Sequence, residues 1–455
     1  MVNENAYMDK RTFLKTSSAL VAGSMISPMV SCQQKEIRTN WAGNYAYKAT
    51  HLHQPNTVEQ IQEIIKSNNS LKALGTCHSF NSIADSRSNQ VSLQQFDPEI
   101  SLDEEFQTVT VGGGLRYGQL CIYLHSKGYS LHNLASLPHI SIAGACATAT
   151  HGSGDNNGNL ATIVSAMEFV SGDGDVIVLS REKDGEEFNG AVVSLGGIGI
   201  VTKLTLDVQT VYNMRQVVYQ NLPHNQLENH FDEIFSSGYS VSLFSDWGNP
   251  HIDQVWIKRQ IDDGEATQPE PEFYNATLAK RHLHPIEALS AENCTEQMGM
   301  PGPWYDRLPH FKMDFTPSSG EELQSEYFVP RKHAVDAILA VYKLREYITP
   351  QLQISEVRSI AADHLWMSPC YEQDSVSIHF TWKPNWKEVR KLLTMIETEL
   401  APYHVRPHWG KLFTIPPARL QSLYQKLPDF QQLLKIYDPM GKFRNAFLRK
   451  HIFSN

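Results

Sequence analysis

Gly75-Thr76-Cys77-His78-Ser79-Phe80-Asn81 is the stretch whose reading decides the fold. It follows the short apolar run Leu71 to Leu74, which reads as the end of a strand. Gly75 lets the backbone turn sharply, so that consecutive N–H groups converge on an anion in the manner of a phosphate-binding nest. His78 then sits beside whatever carries the phosphates. On these residues alone, a plain strand-end turn with a solvated histidine is an equal reading. A second stretch tips the balance: Asn133-Leu134-Ala135-Ser136-Leu137-Pro138-His139-Ile140-Ser141-Ile142-Ala143-Gly144, followed by Ala147-Thr148-Ala149-Thr150-His151-Gly152-Ser153-Gly154. Its small residues allow a large flat ligand to lie against the backbone, and its hydroxyls and free amides supply polar contacts.

Working outward, 455 residues are enough for a large core and two or three domains. An apolar content of 41% with 19% charged residues is that of a globular protein. The net charge of −10 argues against a nucleic-acid partner, since a polyanion needs a basic surface. An acidic surface suits neutral substrates such as sugars or polyols. Six cysteines without a C-x-x-C pair indicate neither a zinc site nor a redox dithiol. His282 and His284 near Cys294 lack a second ligand pair at useful spacing, so no metal is expected. There is no G-x-S-x-G, H-E-x-x-H or phosphate-loop G-K-[ST].

The first 32 residues read as an export signal, followed by a linker over 33–40. Lys10-Arg11-Thr12-Phe13-Leu14-Lys15 precedes a mildly apolar run, Ser17 to Val30, too short and weak to span a bilayer. The run ends at Met29-Val30-Ser31-Cys32, similar to a bacterial lipoprotein cleavage box with Cys32 as the lipidated residue. The Lys10-Arg11 pair resembles a twin-arginine signal, with Lys10 where that pattern has its first arginine. The expectation is an exported lipoprotein on the periplasmic or cell-surface side, touching membrane only through Cys32, with Gln33 giving no inner-membrane retention signal.

Along the chain, Asn56 or Thr57 is placed to cap a helix with Val58, Ile61, Ile64 and Ile65 on one face. Thr108 to Val111 alternates like a strand and stops at Gly112-Gly113-Gly114. Arg116 to Lys127 reads as a helix with Tyr117, Leu120 and Leu124 inward, closed by Gly128. Ile163 to Val170 and Val176 to Leu179 read as a hairpin around Gly172-Asp173-Gly174. Gly196-Gly197-Ile198-Gly199-Ile200-Val201 lacks the third glycine and the βαβ unit of a dinucleotide fold, and that reading is rejected. From about Val211 long polar loops separate strand-like runs such as Val255-Trp256-Ile257-Lys258, and Trp386 to Leu400 reads as a helix.

Four later motifs carry the remaining chemistry. In Ser355-Glu356-Val357-Arg358-Ser359 strand alternation points Glu356 and Arg358 to one face, and Ser377-Ile378-His379-Phe380-Thr381-Trp382 does the same for His379 and Thr381. Pro407-His408-Trp409-Gly410-Lys411 ends in a lysine, and Leu323-Gln324-Ser325-Glu326-Tyr327 pairs an acid with an aromatic without obvious chemistry. A solvated sheet face is the bland alternative for the two alternating strands. Cys77 and Cys146 read as small buried thiols.

Together the stretches around His78 and Ser136 resemble the covalent flavin oxidases of the vanillyl-alcohol oxidase superfamily, and within it the alditol (xylitol-type) oxidases. The resemblance runs from about Trp41 to the C-terminus. It implies an α+β protein: a two-subdomain PCMH-type FAD-binding domain over 41–211, an α+β substrate (cap) domain with a mostly antiparallel sheet over 212–411, and a return segment to the FAD domain over 412–455, beginning its approach at Asp438 to Phe447. It implies FAD bound covalently through His78. The cofactor contacts fall on Gly75, Thr76, Cys77, His78, Ser79, Phe80, Ser136, Ser141, Gly144, Thr148, Ala149, Thr150, His151, Ile200 and Val201. Leu137 stands near where some relatives carry a second linking cysteine, so one linkage is expected. Covalent attachment makes the flavin a stronger oxidant.

The same resemblance places a polyol against Ser136, Glu356, Arg358, His379, Thr381 and Lys411. A dense set of donors and acceptors is what a substrate made of hydroxyls requires. Lys411 and Arg358 are the expected catalytic residues, stabilising a developing alkoxide while hydride leaves C1 for the flavin. The implied reaction oxidises a terminal primary alcohol, with O2 reduced to hydrogen peroxide by a monomeric enzyme. A sugar-1,4-lactone oxidase or dehydrogenase shares the Glu-x-Arg strand and the His-Trp-Gly-Lys motif and is the alternative enzyme reading. A catalytically inactive carbohydrate-binding lipoprotein is the alternative of another class.

Overall fold

Three sheets organise the chain in the computed structural model, which describes residues 37–96, 98–261, 268–313, 315 and 320–454. The export signal, the lipobox and Cys32 lie outside the described residues, as does most of the polar loop after Ile261. Everything below belongs to the unit that begins at Arg38.

The first sheet has three short parallel strands, ordered His51–His53, Asn89–Val91, Leu71–Ala73. The helix Val58–Ser67 packs Ile61 and Ile65 into the core beside it, capped by Thr57, whose hydroxyl accepts the Gln60 N–H. The second sheet has five antiparallel strands, ordered Ile100–Asp103, Thr108–Gly112, Ile200–Asp207, Val164–Val170, Val176–Ser180. Helix Tyr117–Ser126 buries Tyr117, Leu120 and Leu124, and Gly128 follows with φ 82°, a conformation that favours glycine. The Gly196–Val201 stretch enters Ile200–Asp207, which runs antiparallel to both its neighbours. It is therefore not the opening of a βαβ unit.

The third sheet is antiparallel throughout, has ten strands and takes all of them from residues 213–407. Its central strands are Asn213–Pro223, His251–Ile261, Ser240–Ser245, Leu352–Ile360, Ser375–Trp382 and Leu323–Pro330. Alternation divides it into two faces. Val357, Ile378, Phe380, Trp382, Tyr327 and Val329 join one core under helices Ala334–Lys343 and Trp386–Leu400. The opposite face carries Glu326, Glu356, Arg358, His379 and Thr381.

The last segment docks on the first sheet. Leu71 N–H donates to Lys442 O at 2.9 Å, and Asn445 Nδ2 donates to the carbonyls of Ser82, Ile83 and Asp85.

Candidate active site

The Gly75–Asn81 loop leaves strand Leu71–Ala73 and is held at both ends. Trp41 N–H donates to Cys77 O at 2.8 Å, Asn40 Nδ2 to Ser79 O at 3.0 Å, and Phe80 N–H to Gly410 O at 2.7 Å. Asn81 Nδ2 donates to both Trp409 O (2.9 Å) and Lys411 O (2.7 Å), which ties this loop directly to the His-Trp-Gly-Lys segment. Cys77 adopts φ 62°, a left-handed conformation uncommon for a residue with a Cβ. Its thiol is half-buried rather than buried as expected, because the inverted backbone swings it out of the core. Cys146 is buried as expected.

His78 stacks on Trp41 with ring centroids 5.0 Å apart. Its Nδ1–H donates to Thr76 O at 3.0 Å, so Nε2 carries the lone pair and accepts from His139 Nε2–H at 2.6 Å. Burial pushes both imidazoles down to about 4, helped by the mutual contact at His78 and by Arg116 at His139. The neutral, nucleophilic form of His78 is therefore present at neutral pH.

This loop opens on a cleft of about 760 Å³, within the roughly 300–1,000 Å³ usual for ligand sites. Its walls come from the loops of the first two sheets on one side and from the ten-stranded sheet on the other. A Cβ on Gly75 or on Gly144 would meet Ser141 Oγ at 2.7 Å, and one on Gly113 or Gly114 would meet the carbonyl of Val201 or Leu93 at 2.1 or 2.0 Å. The glycines thus make a smooth backbone cradle that any side chain would break. A backbone cradle next to a nucleophilic imidazole fits a flavin with its pyrophosphate. Of the residues expected at the cofactor, Gly75, Thr76, Cys77, His78, Ser79, Phe80, Ser136, Ser141, Gly144, Thr148, Thr150, His151, Ile200 and Val201 line this cleft. Ala149 does not. Its φ of 52° turns the methyl into the hydrophobic core, so it shapes the turn rather than the wall.

All six residues expected at the substrate line the same cleft. Cross-strand register assembles four of them: Glu356 stands opposite His379, Arg358 opposite Ser377, and Thr381 opposite Ile354. On the other side of His379 stands Glu326. Glu326, whose chemistry the sequence left open, is the centre of the charge cluster. Its side chain is fully buried, and it accepts from Arg358 at 2.8 Å and from Lys411 Nζ at 2.7 Å. His151 Nε2 lies 3.1 Å from the same carboxylate but is not aligned as a hydrogen bond. Burial alone would raise Glu326, yet Lys411, His151 and Arg358 hold it well below the usual carboxylate range. Glu356 is likewise held low against its burial by Arg358 and His310.

Lys411 is therefore neither free nor a surface lysine. Its side chain is 15% exposed, and burial lowers its pKa while Glu326 opposes that shift. The carboxylates Glu326 and Glu356 stand against the cations Arg358 and Lys411. Burial and Lys411 push His379 down to about 3, and its Nε2 is buried without a hydrogen-bond partner. Such a group costs ~1–3 kcal/mol unless a ligand satisfies it. His310 and His139 also line the cleft and were not singled out from sequence. His139 lay inside the quoted motif, while nothing near His310 signalled its place. His282, by contrast, pairs with Glu296 at 3.2 Å on the surface.

Residues 49–180 match the family described as FAD binding domain, and residues 316–451 the family described as D-arabinono-1,4-lactone oxidase. The chain is 23% identical to L-gulonolactone oxidase of Mus musculus over 90% of its own length and 97% of that enzyme. In fold it is similar to a solvent-stable cholesterol oxidase, with a TM-score of 0.73 at 13% identity, covering 91% of this chain and 97% of that one. It is 45% identical to the alditol oxidase of Streptomyces sp. (strain IKD472 / FERM P-14339) across 90% of its own length and 98% of that enzyme. On that identity, and with an FAD-binding domain carrying the flavin cradle, the chain belongs to the alditol oxidase family of FAD-dependent oxidoreductases in the vanillyl-alcohol oxidase superfamily.

Proposed function

We propose that the protein oxidises the terminal primary alcohol of an alditol such as xylitol or sorbitol to the aldose, reducing O2 to hydrogen peroxide. The observation that carries this reading is the dense buried polar set on one face of the ten-stranded sheet, with His379 Nε2 left for a ligand. When bound, FAD would supply a hydride acceptor for the alcohol carbon, and that hydride together with the hydroxyl proton would reduce O2 to hydrogen peroxide. The chain's own residues bind and orient. Glu356 accepts from substrate hydroxyls, while His379, Thr381 and Ser136 exchange hydrogen bonds with the rest of the chain of hydroxyls. Arg358 and Lys411 present positive charge where the reacting oxygen loses its proton. Unpaired, such groups cost ~1–3 kcal/mol each, so a substrate lacking the matching hydroxyl is rejected.

His78 is the residue through which the flavin would be attached: it lines the cleft on a loop tied down by Asn81, and burial keeps its imidazole neutral. The second reading, oxidation of a sugar lactone, draws on the match of residues 316–451. The lower identity to L-gulonolactone oxidase weighs less than that to alditol oxidase. Oxygen uptake and peroxide release with xylitol, sorbitol, glycerol and L-gulono-1,4-lactone separate the two. A lactone turned over faster than every polyol would overturn the first.

The mature protein is further read as a monomeric lipoprotein, anchored outside the cytoplasm through Cys32 after cleavage at Met29-Val30-Ser31. Fractionation tests this: an uncleaved chain confined to the cytosol contradicts it.

A further inference from the structure

We propose that Lys258 and His310, two buried residues outside the expected site, form a positioning dyad that commits one oxygen of Glu356 and leaves the other to accept from a substrate hydroxyl. The proposal rests on the polyol reading above and names the group that makes the site select for hydroxyls.

Lys258, on strand His251–Ile261, is 1% exposed. Its Nζ donates to Leu308 O, to Pro309 O at 3.3 Å and to His310 Nδ1 at 3.3 Å. His310 Nε2 lies 2.7 Å from Glu356 Oε1. These partners determine the tautomer. A carboxylate has only acceptors, so Nε2 must carry the proton, and Nδ1 is then the acceptor that faces the Lys258 amine. Burial, with Lys258 adding to it, keeps the ring neutral. The imidazole is also clamped sideways, with Phe244 and Trp256 edge-on and each centroid 5.3 Å away. Thr295 holds its backbone, donating from N–H to His310 O at 3.0 Å and from Oγ1 to Pro309 O at 2.8 Å.

Glu356 has no other short side-chain hydrogen bond among the described residues, because Arg358 Nε stands 3.6 Å from the same oxygen. Oε1 is therefore engaged by His310, and Oε2 is the acceptor presented to the cleft. A carboxylate in this state accepts a hydroxyl hydrogen and repels a carbonyl oxygen. It thus favours a polyol over a substrate bearing an acceptor at that carbon. A buried ammonium that only packed would be more cheaply replaced by an apolar side chain. Its place behind His310 is explained by the proton it holds on the far nitrogen.

The test uses the flavin-loaded enzyme with xylitol and its monodeoxy analogues. His310→Phe keeps a ring in the aromatic clamp and removes both nitrogens, while Lys258→Met keeps the stem and removes the charge. Both are expected to raise KM for xylitol about tenfold and leave the saturating rate of flavin bleaching within about threefold. Both should also erode the preference for xylitol over the one analogue lacking the hydroxyl that Glu356 reads. An unchanged KM with unchanged discrimination overturns the proposal, as does an equal loss on every substrate, which is the mark of a merely structural role. If His310→Phe does not fold, Lys258→Met carries the same test. Nitrogen-15 shifts of His310 test the dyad apart from any substrate: the proton is expected on Nε2 in the wild type, and its presence on Nδ1 would overturn the dyad. A wild type that oxidises no polyol at all removes the functional reading while leaving that measurement to decide the dyad.

Discussion

At the scale of single residues, Lys411 shows how a motif acquires its chemistry from a partner far along the chain. Its ammonium is 2.7 Å from Glu326 and lines the cleft, so it is a fixed charge rather than a mobile one. Replacing it with methionine keeps the bulk and leaves Glu326 to Arg358 and His151 alone. If the charge acts where the substrate oxygen loses its proton, the saturating rate of flavin reduction falls by ~10²-fold or more. If it only holds substrate, KM rises and the saturated rate persists. Stopped-flow reduction of Lys411→Met with flavin still attached decides, and a normal saturated rate excludes the catalytic role. His78 is the second residue with a sharp outcome. Flavin is expected to stay with the acid-denatured wild-type polypeptide and to be released from His78→Ala, read by flavin fluorescence of the denatured chain on a gel. Complete release from the wild type would refute the linkage.

At the scale of elements, Asn81 joins two segments more than three hundred residues apart by donating to Trp409 O and Lys411 O. Asn81→Ala leaves those carbonyls without that donor. It should cost ~1–3 kcal/mol of stability and slow polyol oxidation through a displaced Lys411. An unchanged denaturation midpoint and unchanged rate would sink this. The elements themselves were largely legible. Apolar periodicity gave the helices Val58–Ser67, Tyr117–Ser126 and Trp386–Leu400, and strand alternation put Glu356 with Arg358 and His379 with Thr381. What the chain order does not carry is the register between strands. Glu326 becomes the hub only because Leu323–Pro330 pairs with Ser375–Trp382 so that Glu326 faces His379. Lys258 and His310 were hidden for the same reason. A lysine in an apolar strand and a histidine in a loop give no local sign that they meet. Ala149 is the converse case: its neighbours line the cleft, but a left-handed backbone turns its methyl inward, and side-chain type alone does not reveal that.

At the scale of the whole molecule, the site belongs to a wider pattern of buried neutral histidines, and this sets how the protein responds to acid. Burial pushes His132, His139, His310 and His451 down to about 4 and His379 to about 3. Unfolded, each titrates near 6.5. Below that pH the unfolded chain binds protons that the folded chain refuses, so stability is full above about 6.5 and is lost as pH falls toward 4. Raised carboxyls oppose this: burial lifts Asp253 and Asp363 to about 6 and raises Glu322, Glu397 and Asp438 as well, so their folded forms take up protons as the pH falls. Glu326 and Glu356, held below the usual range, lose their contribution only below about 4.3, their unfolded value. The lowered lysines Lys72 and Lys258, at about 7, act mainly above neutrality. Histidines pushed down by burial, with His78, His151 and His408 among them, outnumber the raised carboxyls, so unfolding takes up protons in this window and stability falls as pH falls. Calorimetry of the flavin-loaded protein should therefore show Tm falling by several degrees between pH 6.5 and pH 5.5, with a smaller fall from pH 7 to pH 6.5. A Tm that is level or rising on acidification through that window would show that these histidines are not held neutral by the fold.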